Sequence, residues 1–406
     1  MPMHQFRPFI IFILFLSSTT FATPPEIQTW QQYPTTEVPE AIPAQKIIHL
    51  SPIWTLDCGL DSEVMVGDIV AITPGINGHT LLLDSQLVQV LVLNPEGIVA
   101  NTVGQPGEGP GDFSGAYRLF QLQDGRIGVT GGAQAPAFIM GRGNIVLINP
   151  EGEPAGVWHA AGPPGSYPLS TAREIRCAND HLLVASQYLE MNETMAGTVS
   201  ELSLLDPLNG ERQIIGRRVF EQEMSNLDFP EAEFYEPFAY GRCDISLDGR
   251  IAYAPIRDQW LVVIRDPDGE GVLLERSWPT LPRSKSEIEA MQKTLAMPDQ
   301  GGLCKTKPVV GRIRWRPDGK LWVEAVGVEL VPGAFACFDE FDPSGVWLRR
   351  VQIIAPGERE YDELKIMENG QFGLLRGFKK AAGTETTEDL KTEVLLLEIS
   401  KLGTKD

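Results

Sequence analysis

Residues 117–160 read YRLFQLQDGRIGVTGGAQAPAFIMGRGNIVLINPEGEPAGVWHA. Apolar and polar side chains alternate up to Asp124-Gly125, where the chain reverses, and the alternation resumes in RIGVTG. After a longer excursion, NIVLIN reaches Pro150-Glu151-Gly152, and EPAGVWHA completes the stretch. Alternation with a period of two, interrupted at Asp-Gly and Pro-x-Gly, marks short antiparallel strands. Asp and Pro favour the first half of a tight turn, and Gly accepts the positive φ that ends it. The stretch is a unit of four strands, A to D, and one such unit cannot bury its own faces.

The same grammar returns at 68–104, 174–220, 243–278, 313–354 and 363–400, so the chain holds six copies. The last copy has strands A, B and C but no D. Ile47 to Leu56 precedes the first copy and has no partner of its own, so it is expected to serve as the missing outer strand. That exchange closes a ring and leaves few free sheet edges. The predicted fold class is all-β: a six-bladed β-propeller of four-stranded antiparallel blades, closed by the N-terminal strand. A pair of β-sandwiches is the competing arrangement.

Hydrophobic residues make up 43% of the 406, enough for a large core. The formal net charge of −20 argues against nucleic acid and anionic lipid as partners. Arg7, the apolar run Phe9–Leu16 and the small residues up to Ala22 read as an export signal cut after Ala22. Eight apolar residues are too few to span a bilayer, which takes about 20. The expected organisation is a signal peptide at 1–22, a flexible leader at 23–45 and the propeller at 46–406. The mature chain is expected as a periplasmic or extracellular monomer without a membrane insertion. Cysteines 58, 177, 243, 304 and 337 contain no C-x-x-C pair, which disfavours a zinc ribbon. If a disulfide forms, Cys304–Cys337 is the expected one, both residues falling toward one face of the ring.

Residues 104–113, GQPGEGPGDF, resemble the G-x-G-P-G-E/D-F signature of bacterial six-bladed propellers related to the NHL-repeat group, and the blade grammar extends the resemblance over roughly 46–400. The resemblance implies the fold and export. It does not choose a chemistry, because related propellers include lactonases, lyases and pure binding scaffolds.

The A–B and C–D turns share one face and are short. The opposite face carries Gly104–Phe113, Gly162–Ser170 and the insertions 221–239 and 279–309, so function is expected there. Ser284 to Glu287 has the form of a capping box and predicts a helix over about 285–297. Phe229, Phe234, Tyr235, Phe238 and Tyr240 lie among carboxylates, as loop anchors or as stacking platforms. Counting six residues back from the turn residues Asp124, Asn179, Asp248 and Asp318 gives Arg118, Arg173, Arg242 and Arg312 at the starts of innermost strands. In blade 6 the same count gives Glu363. In blade 1 it gives Asp68 or Ala71, according to which residue marks the turn. Four arginines converging on the channel mouth would bind a carboxylate or phosphate, or would be neutralised by protein acids such as Asp68 and Glu363. Tyr117 and Tyr240, close to Arg118 and Arg242, complete the candidate ligand-binding set.

No G-x-S-x-G, H-E-x-x-H or phosphate-binding loop is present, and the histidines 49, 79, 159 and 181 are scattered. The first functional expectation is a binding or scaffold propeller for an acidic small molecule, glycan or peptide, without a cofactor. A lactonase-like hydrolase or a lyase acting at the same mouth is the enzymatic alternative. A divalent ion held by residues such as Asp68, Asp244 and Glu363 would belong to the lactonase form of it. An interaction module using only rim loops is the third.

Overall fold

The computed structural model describes residues 29–39, 46–59, 62–107, 109–113, 115–116, 118–131, 144–159, 172–179, 181–191, 195–206, 211–223, 241–289, 305–378 and 392–400. Two N-terminal strands, β1 (Thr35–Glu37) and β2 (Lys46–Asp57), precede six blades. Blade 1 is β3–β6 (Ile69–Pro74, Thr80–Asp84, Gln89–Leu93, Val99–Val103), and blade 2 is β7–β10 (Arg118–Gln121, Ile127–Gly131, Asn144–Ile148, Pro154–His159). Blade 3 is β11–β14 (Ala172–Ala178, His181–Met191, Met195–Leu205, Arg212–Glu223), and blade 4 is β15–β18 (Cys243–Ile245, Ile251–Tyr253, Trp260–Arg265, Gly271–Arg276). Blade 5 is β19–β22 (Val310–Trp315, Leu321–Ala325, Ala334–Phe341, Trp347–Ile354). Blade 6 has β23–β25 (Glu363–Ile366, Phe372–Arg376, Glu393–Ile399) and takes β2 as its outer strand.

Alternation along each strand sends apolar side chains to both faces of a blade, and each face is covered by the next blade. The core therefore consists of six seams. Leu81, Val90 and Leu119 join blades 1 and 2. Phe120, Ile145 and Val184 join 2 and 3. Leu183, Leu202 and Val263 join 3 and 4. Trp260, Val323 and Phe341 join 4 and 5. Trp322, Phe338 and Leu374 join 5 and 6. The sixth seam packs Leu82 and Leu91 of blade 1 against Leu375 and Leu396 of blade 6, so the ring is complete.

Turn chemistry repeats with the blades. At the C–D turns, Asn94, Asn149 and Asp342 precede Pro-x-Gly, and each side-chain oxygen accepts the N–H four residues on, at 2.8, 2.7 and 2.9 Å. The side chain thus reinforces the backbone turn, in which the carbonyls of the same three residues accept the N–H groups of Gly97, Gly152 and Gly345.

The closing strand does more than fill blade 6. Lys46–His49 runs parallel to Val351–Ile354 on the edge of blade 5, and Leu50–Asp57 then pairs antiparallel with Ile399–Glu393. Trp54 lies over Gly97 of blade 1, where φ is +82° and a Cβ would stand 2.6 Å from the indole. The same N-terminal region corrects the expectation of a wholly flexible leader. Thr35–Glu37 pairs parallel with Leu273–Glu275 as a fifth strand of blade 4. Tyr33 and Val38 are buried, and the Tyr33 hydroxyl donates to the Gly269 carbonyl at 2.8 Å. Alternating apolar residues in a Pro- and Thr-rich stretch were sufficient to cover an open edge.

Gly104–Phe113 is a structural loop. Phe113 is buried in the seam between blades 1 and 2, against Gly104 at φ +79°, where a Cβ would lie 2.0 Å from the ring. The Asp112 carboxylate accepts the Gly109 N–H at 3.1 Å. The connection from blade 5 to blade 6 repeats this sequence as Pro356-Gly357-Glu358 followed by Asp362. There Asp362 accepts the N–H groups of Glu358 and Gly377, at 2.7 and 2.9 Å.

In the insertion at 279–309 the capping box forms as expected. The Glu287 carboxylate accepts the Ser284 N–H at 2.8 Å, the Ser284 hydroxyl accepts the Glu287 N–H at 3.2 Å, and helix begins at Lys285. The described part of that helix ends at Glu289; Gly162–Ser170 and 224–240 lie outside the described residues.

One polar cluster crosses the seam of blades 4 and 5. Asp339 accepts hydrogen bonds from Arg276 and from Arg350, the latter at 2.9 and 3.1 Å, and from the Trp347 indole at 3.2 Å. The Arg276 guanidinium is stacked on Trp260 and Trp278, 4.0 and 4.8 Å from their ring centres.

Cys58, Cys177, Cys243 and Cys337 are free thiols. This corrects the expected Cys304–Cys337 disulfide at its described end; Cys304 itself lies outside the described residues. Cys337 is buried on strand β21. Burial pushes the thiols of Cys58 and Cys337 up to about 12 and that of Cys243 higher still. Alkylation proceeds through the thiolate. Iodoacetamide at pH 8 should therefore leave these three unlabelled in folded, unreduced protein and label them in guanidinium. Peptide mass spectrometry showing native labelling at any of the three would contradict this burial.

Candidate channel site

The innermost strands bring one side of their alternation to the central channel, and the order of its residues follows from the turns. The A–B reversals close at Gly75–His79, Leu122–Arg126, Ser246–Arg250, Arg316–Lys320 and Met367–Gln371, each around three residues. In blade 3, Ala178 pairs directly with His181, and only two residues lie between them. Four residues before each reversal stand Ala71, Arg118, Glu174, Arg242, Arg312 and Glu363; two residues before it stand Thr73, Phe120, Arg176, Asp244, Arg314 and Lys365.

The expected ring of four arginines is thereby altered. The shorter turn of blade 3 puts Glu174 at the level of Arg118, and Arg173 falls at a break in register between β11 and β12, with its side chain outside the described residues. In blade 1 the residue at this level is Ala71. Asp68 lies outside the row, exposed and hydrogen-bonded to Ser85 at 3.2 Å. Arg242 is buried. The Arg312 guanidinium is forked onto Glu324 at 2.9 and 3.0 Å and donates to the Leu364 carbonyl of blade 6 at 2.6 Å. Arg312 is thus one of the bridging arginines that the sequence left as an alternative. Glu363 pairs with Lys365 at 2.6 Å. Tyr117 and Tyr240 lie outside the described residues.

Deeper in the channel, the second row gathers charge from blades 3 to 6. Arg176 pairs with Glu174 at 2.6 Å and stands 3.8 Å from the Asp244 carboxylate. Burial would raise the Glu174 carboxyl, but Arg176, Arg314, Arg118 and Lys365 together hold it below the usual carboxylate range. Burial raises Asp244, against the opposing effect of Arg314 and Arg176; its other oxygen accepts the Trp315 N–H at 2.7 Å. Arg314 is different. Its guanidinium makes one hydrogen bond, to the Ile313 carbonyl at 2.6 Å, and among the described residues no carboxylate stands within ion-pair distance. Burial and the neighbouring Arg176 push its pKa down to about 10. Glu368, first residue of the blade 6 turn, completes the set. It is exposed to solvent, and the charges that act on it are those of Arg176, Asp244 and Arg314.

Arg314 and Arg176 were missed by counting to one level only. The signal was present in the alternation itself, as Arg312-Ile313-Arg314 and Glu174-Ile175-Arg176, where an apolar residue faces the seam between two charges facing the channel. Among the described residues, no three His, Cys, Asp or Glu side chains are grouped as metal ligands, and no helix is long and apolar enough to cross a membrane.

No protein-family model and no curated protein matches the chain. Among solved structures it is similar to a Bacteroides fragilis protein classed as exported, with 14% identity, a TM-score of 0.46, and coverage of 88% of this chain and 100% of the other. It is also similar to a Bacteroides vulgatus member of the duf4221 family, with 12% identity, a TM-score of 0.47 and coverage of 88% and 99%. A catalytically inactive variant of virginiamycin B lyase from Staphylococcus aureus, solved with quinupristin, shows 11% identity, a TM-score of 0.40 and coverage of 86% and 100%. These are likenesses of fold, and the ring itself rests on its six closed seams.

Proposed function

We propose that the chain is an exported binding propeller of the NHL-like kind that captures a small anionic molecule in its channel. The observation that carries this reading is Arg314: a half-buried cation beside Arg176, with the neighbouring carboxylates of Glu174 and Asp244 already engaged elsewhere. A guanidinium in such a place is stabilised by an oxyanion that accepts two of its N–H groups. Arg118, Arg242 and Arg312, one level up, are assigned the lesser part of offsetting the protein's net charge of −20 along the approach. Carboxylate-bearing sugars, acidic peptides and phosphate esters share the required chemistry.

The test is thermal. Sulfate, phosphate or an acidic sugar should raise Tm with the logarithm of its concentration, about 2.7 kcal/mol of stabilisation at a hundredfold excess over Kd. Arg314→Gln should weaken binding about tenfold to a hundredfold, the worth of a charge-assisted hydrogen bond, while leaving the unliganded Tm unchanged or higher. Arg312→Gln should instead lower the unliganded Tm, because it strips Glu324 of its partner. Equal ligand response in wild type and Arg314→Gln would remove the basis for this site.

A further inference from the structure

At the second level of the channel, charges alternate from blade to blade. Arg176 of β11 stands, through its Nε, 3.8 Å from one oxygen of Asp244 on β15, which is ion-pair distance but too long for a hydrogen bond. The other Asp244 oxygen accepts the Trp315 N–H of β19 at 2.7 Å. That bond anchors the carboxylate beside Arg314, the residue before Trp315. The two do not pair. The Arg314 guanidinium turns to the Ile313 carbonyl at 2.6 Å, and no carboxylate of the described residues, Asp244 included, comes within ion-pair distance of it. Arg314 is half-buried, so part of its donor fork stays open to the channel. A carboxylate and a guanidinium on adjacent inner strands are thus held near each other with bonding capacity left on both.

We propose that the captured anion is the carboxylate of an α-amino acid, held by Arg314, with the α-ammonium of the same molecule held by Asp244. The inference rests on the anion-site reading above and names the class of molecule that carries the anion. Charge balance decides the class. Glu174, Arg176, Asp244 and Arg314 carry two charges of each sign, Lys365 is paired with Glu363, and blade 1 has only Ala71 and Thr73 at these levels. A simple anion drawn to Arg314 comes up against Asp244. A simple cation drawn to Asp244 comes up against Arg314 and Arg176. Such like-charge approaches are costly where protein replaces much of the water. A zwitterion meets both groups at once. Its carboxylate can accept two N–H groups of the guanidinium fork, and its ammonium donates to the Asp244 oxygen that has no hydrogen bond to Arg176. The failure of Arg314 and Asp244 to pair is what keeps both available.

Isothermal titration of the full mature chain with each protein amino acid in turn, at neutral pH, is the test. For the amino acid that binds best, two analogues are compared: the acid lacking the amino group, and the amide lacking the carboxylate. Each should bind about tenfold to a hundredfold more weakly, the worth of one charge-assisted hydrogen bond. Asp244→Asn keeps an oxygen for the Trp315 N–H, so it should still bind the deaminated acid through Arg314 while losing the preference for the amino acid. Arg314→Gln should lose both ligands. A merely structural role for Asp244 would weaken the two ligands alike. The analogue comparison on the wild-type protein decides the matter even if a variant folds poorly. A deaminated acid that binds as tightly as its amino acid, sulfate binding with no amino acid bound, or a preference for the amino acid retained in Asp244→Asn overturns the zwitterion and leaves the anion site standing. Absence of binding by amino acids, deaminated acids and sulfate overturns both.

Discussion

A chain that begins at Cys58, produced without export, is expected not to form a closed, monomeric ring. Removing β2 takes away Ile48, Leu50, Trp54 and Leu56, all buried, and leaves β25 as an exposed sheet edge. Burying side chains of this kind contributes about 1.5–3 kcal/mol each, so the four together approach the whole net stability of a typical domain, about 5–15 kcal/mol. A chain beginning at Lys46 keeps β2 and loses β1, with Tyr33, Val38 and the Pro39 carbonyl. It should fold cooperatively with a lower Tm. Size-exclusion chromatography and calorimetry of the two truncations separate these outcomes, and a monomer with an unchanged Tm from the shorter chain would refute closure by β2. Trp54→Ala, at about 3–5 kcal/mol, isolates the part of this that locks blade 6 onto blade 1.

The second large effect is expected at Asp339. Its carboxylate is fully buried and is the shared acceptor of Arg276 and Arg350, across the seam of blades 4 and 5. Asp339→Ala leaves two buried guanidinium groups without it, and breaking a buried pair in this way costs about 3–5 kcal/mol. Arg276 has somewhere to go in part, since it also stacks on Trp260 and Trp278 and reaches the Pro39 carbonyl at 3.3 Å. Replacing Asp339, Arg276 and Arg350 together by apolar residues of similar volume should recover much of the loss. Urea unfolding of the single and triple variants measures the difference. A single variant within 1 kcal/mol of wild type, roughly the worth of one ordinary hydrogen bond, would show that the cluster is dispensable.

Much of the ring was legible because each blade states its own turns. Asn94-Pro95-Glu96-Gly97 and Asp342-Pro343-Ser344-Gly345 specify reversals through local chemistry, and a strand with no partner at one end matches a blade lacking one at the other. The channel was less legible because a one-residue change in a turn moves every side chain after it. Asn179 was rightly taken as a turn residue, but its turn has two residues where the others have three, and Glu174 replaces Arg173 at the level of Arg118. The choice between Asp68 and Ala71 turned on the same point, and the reversal around Asn77 selects Ala71. Arg312 looked like a ligand residue from register alone. Its acid, Glu324, comes from the next strand of the same blade, a pairing that depends on side-chain reach as well as on position in sequence. The structured leader was hidden by its composition, since Pro and Thr suit an edge strand as well as a flexible tether.

The pairing of β2 with β25 also fixes an order of events. Leu50 faces Ile399, so the first strand of the ring to be synthesised meets its antiparallel partner only when nearly the whole chain has been made. Blades 1 to 5 can form as the polypeptide emerges, each seam adding to the one before, but the last seam cannot. Until then Trp54 and Leu56 lack the blade 6 half of their seam, and two sheet edges stay open to association with other chains. The entropic cost of this final closure grows only logarithmically with the length enclosed, so the delay is kinetic far more than thermodynamic. The chain is consequently held short of its native state through synthesis, and a stop codon before Glu393 would leave β2 without its antiparallel partner.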